Sequence, residues 1–139
     1  MASLIFNNAI FNNVKGNIDF DSDTFKVMLV TSAYTPDKDT HAFRSSVTNE
    51  VVGTGYTAGG NASIFTVAAI DTTNDRIEVT LGGSAWATST ITAAAAVVYK
   101  SRGGASSADE LVAYIDFGGN VSSVGGTFTL TDSLLRYQN

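Results

Sequence analysis

The chain holds 139 residues with a formal net charge of −5, eight Lys and Arg scattered singly, one histidine and no cysteine, which reads as one domain over residues 1–139 that needs no disulfide or metal staple. This composition excludes disulfides, thiolate chemistry, cysteine-ligated zinc and a multi-histidine metal centre within one chain, and it lacks the basic footprint of a nucleic-acid binder. No stretch approaches the run of about 18 apolar residues that a membrane-spanning helix needs, and residues 1–14 have no positive n-region, so a soluble protein without a Sec-type signal is expected.

Phe6, Ala9, Ile10 and Val14 recur at helical spacing with asparagines opposite, and Gly16 stands where a C-terminal capping glycine belongs, so a short helix is expected over Leu4–Val14. Ile5 and Phe11 lie off that stripe, which predicts burial on more than one side. Asp19, Asp21 and Asp23 alternate as at the start of a calcium loop, yet Thr24 stands where glycine is required and Val30 where a bidentate glutamate is required, so an acidic turn is expected. Thr24–Thr31 is apolar almost throughout and predicts a strand inside a sheet.

Residues 32–46 turn polar and carry the only proline and the only histidine, Pro36 and His41. A loop of this length in a compact domain is usually functional or held by a neighbour. Asp37, Asp39 and His41 would share a side if extended, but no second cluster supplies a partner for metal or acid–base chemistry, so a solvated or interface loop is expected. The stretch Asn49–Gly60 then holds Gly53, Gly55, Gly59 and Gly60 around one bulky side chain, Tyr56. Its spacing misses both the P-loop and the dinucleotide fingerprint, and no helix follows, so it reads as an ordered, shaped loop.

Behind it the pattern is of β-strands. Ala62–Ile70 and Arg76–Leu81 form a predicted hairpin joined by Asp71–Asp75, with Ile77, Val79 and Leu81 alternating against Arg76, Glu78 and Thr80. Gly82–Gly83 turns the chain ahead of Trp86, a core or rim plug. Thr90–Lys100 reads as a strand despite its four alanines, Ser101–Asp109 as a loop, and Leu111–Phe117 as its hairpin partner. Gly118–Gly119 and Gly125–Gly126 bracket another predicted turn before Thr127–Thr131, and Ser133–Asn139 makes an edge-like last strand. Seven or so strands with one short N-terminal helix predict a mainly β protein, an antiparallel β-sandwich of jelly-roll-like kind.

Four segments carry a resemblance: Leu29–Asp37 (Leu-Val-Thr-Ser-Ala-Tyr-Thr-Pro-Asp), Asn49–Gly60 with its Gly-Thr-Gly-Tyr-Thr-Ala-Gly-Gly string, Val98–Lys100, and Ala113–Gly118. From Leu4 to about Leu135 the chain resembles a family of small tailed-bacteriophage virion proteins whose best-understood members are capsid cement, or decoration, proteins. It departs from the family pattern at the end, where Asp132–Tyr137 stands in place of a segment carrying tryptophan. The resemblance implies a non-enzymatic β-sandwich subunit, homotrimeric, made in the host cytoplasm and seated on the outer capsid surface between capsomers of the major capsid protein. No cofactor, metal, catalytic residue, nucleic acid or membrane is implied. The expected contact residues lie in 32–60: Tyr34, Pro36, His41, Phe43, Arg44 and Tyr56. The alternative is a tail or fibre module that stacks a host surface glycan on Trp86 and loop aromatics.

Overall fold

The apolar runs on either side of residues 101–110 form the spine of the molecule. The computed structural model describes residues 2–139. In chain order these form β1 (Leu4–Ile5), helix α1 (Asn7–Val14), β2 (Phe25–Val30), β3 (Asn61–Ser63), β4 (Phe65–Val67), β5 (Arg76–Leu81), β6 (Ser84–Lys100), β7 (Leu111–Leu130) and β8 (Ser133–Gln138). The long antiparallel β6–β7 hairpin anchors a five-stranded sheet ordered β1-β7-β6-β2-β3, and β4-β5-β8 form a three-stranded second sheet. Both sheets are antiparallel, and the architecture is a mainly β sandwich with one short helix near the N-terminus.

Alternation explains why β2 and β6 read as continuous apolar runs. Phe25, Val27 and Leu29 of β2 and Ala93, Ala96 and Val98 of β6 join one core cluster, which the second sheet completes with Val79, Leu81 and Leu135. Met28, Val30, Ala95, Val97 and Tyr99 join a second cluster on the opposite face, with Phe6, Tyr34, Leu111 and Tyr114. The larger sheet is therefore covered on both faces, which demands apolar side chains at odd and even positions alike. Phe25 of β2 stacks on Phe65 of β4 with ring centroids 3.8 Å apart, stitching one sheet to the other.

Four expectations are corrected. The helix spans only Asn7–Val14, because Leu4 and Ile5 pair instead with Tyr114 and Ala113. Its inward face is Ala9 and Asn12, while Ile10, Phe11 and Val14 are exposed. Asn12 tolerates burial because its amide is satisfied at both ends, donating to the Asn8 carbonyl at 2.8 Å and accepting from Asn17 Nδ2 at 2.9 Å. Gly16, with φ of +81°, ends the helix as expected.

The expected strand 62–70 breaks at Ile64 into β3 and β4, which belong to different sheets. Gly82 makes that crossing possible, since a Cβ there would lie 2.3 Å from the Ile64 carbonyl oxygen. Gly118–Gly119 and Gly125–Gly126 turn nothing: both pairs lie within β7, where the register against β6 shifts between Ala93 and Ala95 and again around Ser89. Positive φ at Gly118 and Gly125, and at Thr88 on the facing strand, absorbs the extra residues as bulges that bend the ribbon over the core.

The remaining elements follow the sequence pattern. Asp19–Asp23 forms a turn capped by its own carboxylates: Asp23 accepts from the Asp19 N–H at 2.8 Å, and Asp19 accepts from the Ser22 hydroxyl at 2.7 Å. Asp71 and Arg76 bridge across the 71–75 connection. β8 lies at an edge of its sheet.

Candidate functional site

The loop between β2 and β3 spans residues 31–60 and is bound closely to the larger sheet. β3 covers only Phe25–Val27 of the β2 edge. Beyond it the loop itself supplies the next partner: Thr31 N–H donates to the Asn49 carbonyl at 2.9 Å, and Val51 N–H donates to the Leu29 carbonyl at 3.0 Å. Buried backbone groups need such partners, so this stretch of loop acts as a short substitute strand.

Glu50 and Tyr56 finish that edge. The Leu29 N–H donates to the Tyr56 hydroxyl at 2.9 Å, and the hydroxyl donates in turn to Glu50 Oε1 at 2.8 Å. The same carboxylate oxygen accepts from the Gly59 N–H at 2.6 Å, while the Tyr99 hydroxyl donates to the Gly59 carbonyl at 2.5 Å. Burial holds the Tyr56 phenol far above its ordinary range and pushes Tyr99 up to about 12. Tyr56 therefore faces its own domain, with its ring 5.9 Å from that of Trp86.

Close backbone approach explains the glycines. A Cβ on Gly53 would lie 2.6 Å from the Thr90 carbonyl oxygen, one on Gly55 2.8 Å from Ser89 Cα, and one on Gly60 1.8 Å from the Val27 carbonyl oxygen. The string lies flat over β6 and the β2 edge, where no larger residue fits.

The front of the loop is held by a second network. Tyr34 is 3% exposed, its hydroxyl lies 2.9 Å from His41 Nδ1, and burial pushes its phenol up to about 12. The Asp37 N–H also reaches that Nδ1, at 3.3 Å. The Asp37 carboxylate is turned back to accept from the N–H groups of Asp39 and Thr40, and hydrogen bonding with Thr40 holds it below the usual carboxylate value. Asp39 accepts from Asn7 Nδ2 at 2.6 Å. The three side chains that alternate in sequence thus serve three separate local contacts. Among the described residues no group of three His, Asp or Glu converges as a metal site would require.

Arg44 straps the loop to the β6–β7 hairpin. Its Nε donates to Asp109 Oδ2 at 2.9 Å, and its guanidinium lies 5.0 Å from the Tyr99 ring centre. Asp109, only 1% exposed, also accepts from the Arg102 N–H at 2.9 Å. Beside it Arg102 grips the buried Glu110 through two bonds of 2.7 and 2.9 Å.

Of the six expected contact residues, only Phe43 is plainly exposed, at 37%. His41 and Arg44 are half-buried, Tyr34 and Pro36 are buried, and Tyr56 points inward. Trp86 is 3% exposed and packs edge-on against Phe128 at 6.0 Å, so it plugs the core and presents no face for sugar stacking.

The outward side of the region belongs to residues the sequence does not single out. Val52 is 95% exposed, and it stands across a shallow groove from Val124 of β7, 86% exposed, with Thr90, Thr92 and Ser122 between them. Aliphatic residues beside strand-like runs read as core, and the one available signal is their place next to glycines. Comparison with family models, curated proteins and solved structures returned no match.

Proposed function

We propose that this chain is a non-enzymatic structural protein of a tailed-phage virion, a cement protein that seats between capsomers of the major capsid protein and associates with copies of itself as a trimer. The observation that carries the reading is the construction of the 49–60 string, the segment on which the family resemblance rests most heavily. Gly53, Gly55 and Gly60 lie against backbone, and Glu50 and Tyr56 lock the string's two ends to β2 and to Gly59. A contact surface built this way is ordered before its partner arrives, which lowers the entropic cost of docking.

The physics of cementing suits such a scaffold. Weak contacts repeated at a symmetric lattice point multiply through avidity, and binding the mature shell alone stabilises it by mass action. The test is to mix purified protein with undecorated mature capsids of the encoding phage, then measure bound copies and the temperature at which the shell opens. Saturable binding with a raised opening temperature is expected. Capsids that neither bind the protein nor gain heat resistance would overturn the reading.

A further inference from the structure

The edge of a sheet presents backbone groups that another strand can pair. β3 pairs with β2 over Phe25–Val27, and the same stretch of chain crosses at Ile64 into β4, an edge strand of the second sheet. β4 sets Phe65 opposite Leu81, Thr66 opposite Thr80 and Val67 opposite Val79 of β5, and just beyond it the Ala68 N–H donates to the Glu78 carbonyl at 2.9 Å. Antiparallel ladders alternate, so Thr66 turns its backbone groups toward β5, whereas Phe65 and Val67 turn theirs outward. The run Ile64–Ile70 carries no charged residue and no proline, the usual means of blunting an edge. Ahead of Phe25 the chain forms the Asp19–Asp23 turn, and between that turn and β4 lies a groove of about 230 Å³ whose lining includes Phe20, Asp21, Thr24, Ile64 and Phe65.

We propose that this edge receives an extended, basic segment of a partner protein, added antiparallel to β4 with a lysine or arginine facing Asp21. The outward N–H and C=O groups of Phe65 and Val67 pair with main chain, so the occupant is a strand. Its apolar side chains fall on Ile64, 73% exposed, and on Phe65, whose ring is stacked on Phe25 at 3.8 Å and lies 5.9 Å from Phe20. Charge selects the sequence. Asp19 is satisfied within its own turn and Asp23 is paired with Lys100 at 2.8 Å. Among the described residues the Asp21 carboxylate has no hydrogen bond or ion pair, and no cation lines the groove. A chain of net charge −5 with an uncompensated carboxylate beside an open edge attracts a basic strand and repels an acidic one. A second copy is disfavoured on the same ground, since it brings the same net charge and the same carboxylate to the edge. The site belongs to the isolated chain and stands whether or not the protein binds capsids.

The experiment titrates a fluorescein-labelled peptide, Lys-Val-Thr-Val-Thr-Val-Lys, with the full chain and reads anisotropy, beside the same peptide carrying glutamate at both ends. The lysine peptide is expected to bind saturably, about tenfold or more tighter than the glutamate peptide, and to weaken from about 20 to about 300 mM salt as screening sets in. Asp21 is exposed and its carboxylate holds nothing, so Asp21→Lys leaves the fold intact, which circular dichroism checks. That variant is expected to bind the lysine peptide about tenfold more weakly and the glutamate peptide more tightly than wild type does. Hydrogen exchange read residue by residue is expected to slow at the Phe65 and Val67 amides when the lysine peptide binds, and to stay unchanged at Val52. A lysine peptide that does not bind, binding indifferent to the end charges or to Asp21→Lys, or protection that misses Phe65 and Val67 overturns the inference. So does concentration-dependent protection of those two amides without peptide, the mark of a second copy on the edge. A protein that meets every expectation here yet ignores capsids overturns the capsid reading alone.

Discussion

Glu50 Oε1 accepts the Tyr56 hydroxyl at 2.8 Å, and that hydroxyl takes the Leu29 N–H at 2.9 Å, so one side chain completes both a sheet edge and a loop. Tyr56→Phe keeps the ring against Trp86 but leaves the Leu29 N–H and the Glu50 carboxylate each short of a partner. The Glu50 carboxylate keeps the Gly59 N–H, so the Leu29 N–H carries most of the loss; one unsatisfied buried group costs about 1–3 kcal/mol, and thermal unfolding is expected to fall by roughly 3–10 °C. Glu50→Ala, which also strips the Gly59 N–H, is expected to lose at least as much. A Tyr56→Phe protein that melts with the wild type would show the pair to be incidental.

Gly60 offers a sharper contrast. Its φ is +74°, and an added Cβ would sit 1.8 Å from the Val27 carbonyl oxygen, so the string cannot keep its seat if alanine replaces it. The cost combines backbone strain with displacement of the loop, and about 3 kcal/mol or more is expected. Gly104→Ala meets nothing within 4 Å and is expected to stay within about 0.5 kcal/mol of wild type. Denaturant unfolding of the two variants side by side checks the difference, and equal midpoints would refute the close-approach account.

These glycines show how far the sequence is legible. The alternation of Ile77, Val79 and Leu81, and the doubly buried run of Thr24–Thr31, encode strands directly, because burial on a sheet face imposes its period on the residues. Glycine pairs carry no such direction. Close backbone approach to Ile64 and Leu130 demands glycine at the Gly82–Gly83 turn, whereas a positive φ demands it at the Gly118–Gly119 bulge, and only the folded surroundings decide which. The contact loop was visible as a unit, but the orientation of its aromatics was not, because Tyr34 and Tyr56 turn inward toward partners distant or absent in the local sequence, such as Tyr114 and Leu29. Val52 and Val124 stayed hidden for the opposite reason: an exposed aliphatic residue is spelled like a buried one.

Arg44 tests whether the loop is held by charge. Removing it leaves Asp109, 1% exposed, as a buried carboxylate without its cation, and breaking such a pair costs about 3–5 kcal/mol. Arg44→Lys is expected to recover only part of this, because lysine cannot both reach Asp109 and lie flat over the Tyr99 ring. The exposed pair of Arg136 with Glu78, of similar length at 2.8 Å, gives the comparison. Solvent screening leaves such a pair worth about 0–1 kcal/mol, so Arg136→Ala is expected to change little. Chemical denaturation of the three variants decides the matter, and a near-neutral Arg44→Ala would mean that water reaches Asp109.

Alkaline titration probes the tyrosines, all five of which are held above their ordinary value, with burial as the leading cause. The sign follows from the neutral form being the one the fold accommodates. A phenol whose folded pKa is raised contributes stability that is fully present below its unfolded value near 10 and is lost as pH climbs through the folded value. For Tyr34 and Tyr99 that window runs from about 10 up to about 12. Phenolate absorbance and circular dichroism, followed together through this range, are expected to change in one cooperative step, with ionisation of the buried phenols coinciding with unfolding. Tyr99→Phe removes one raised phenol and the bond to Gly59, so it is expected to melt lower at neutral pH yet lose less stability on going alkaline. Phenols that ionise near 10 in a protein that remains folded would show that the loop opens to solvent without the sandwich coming apart.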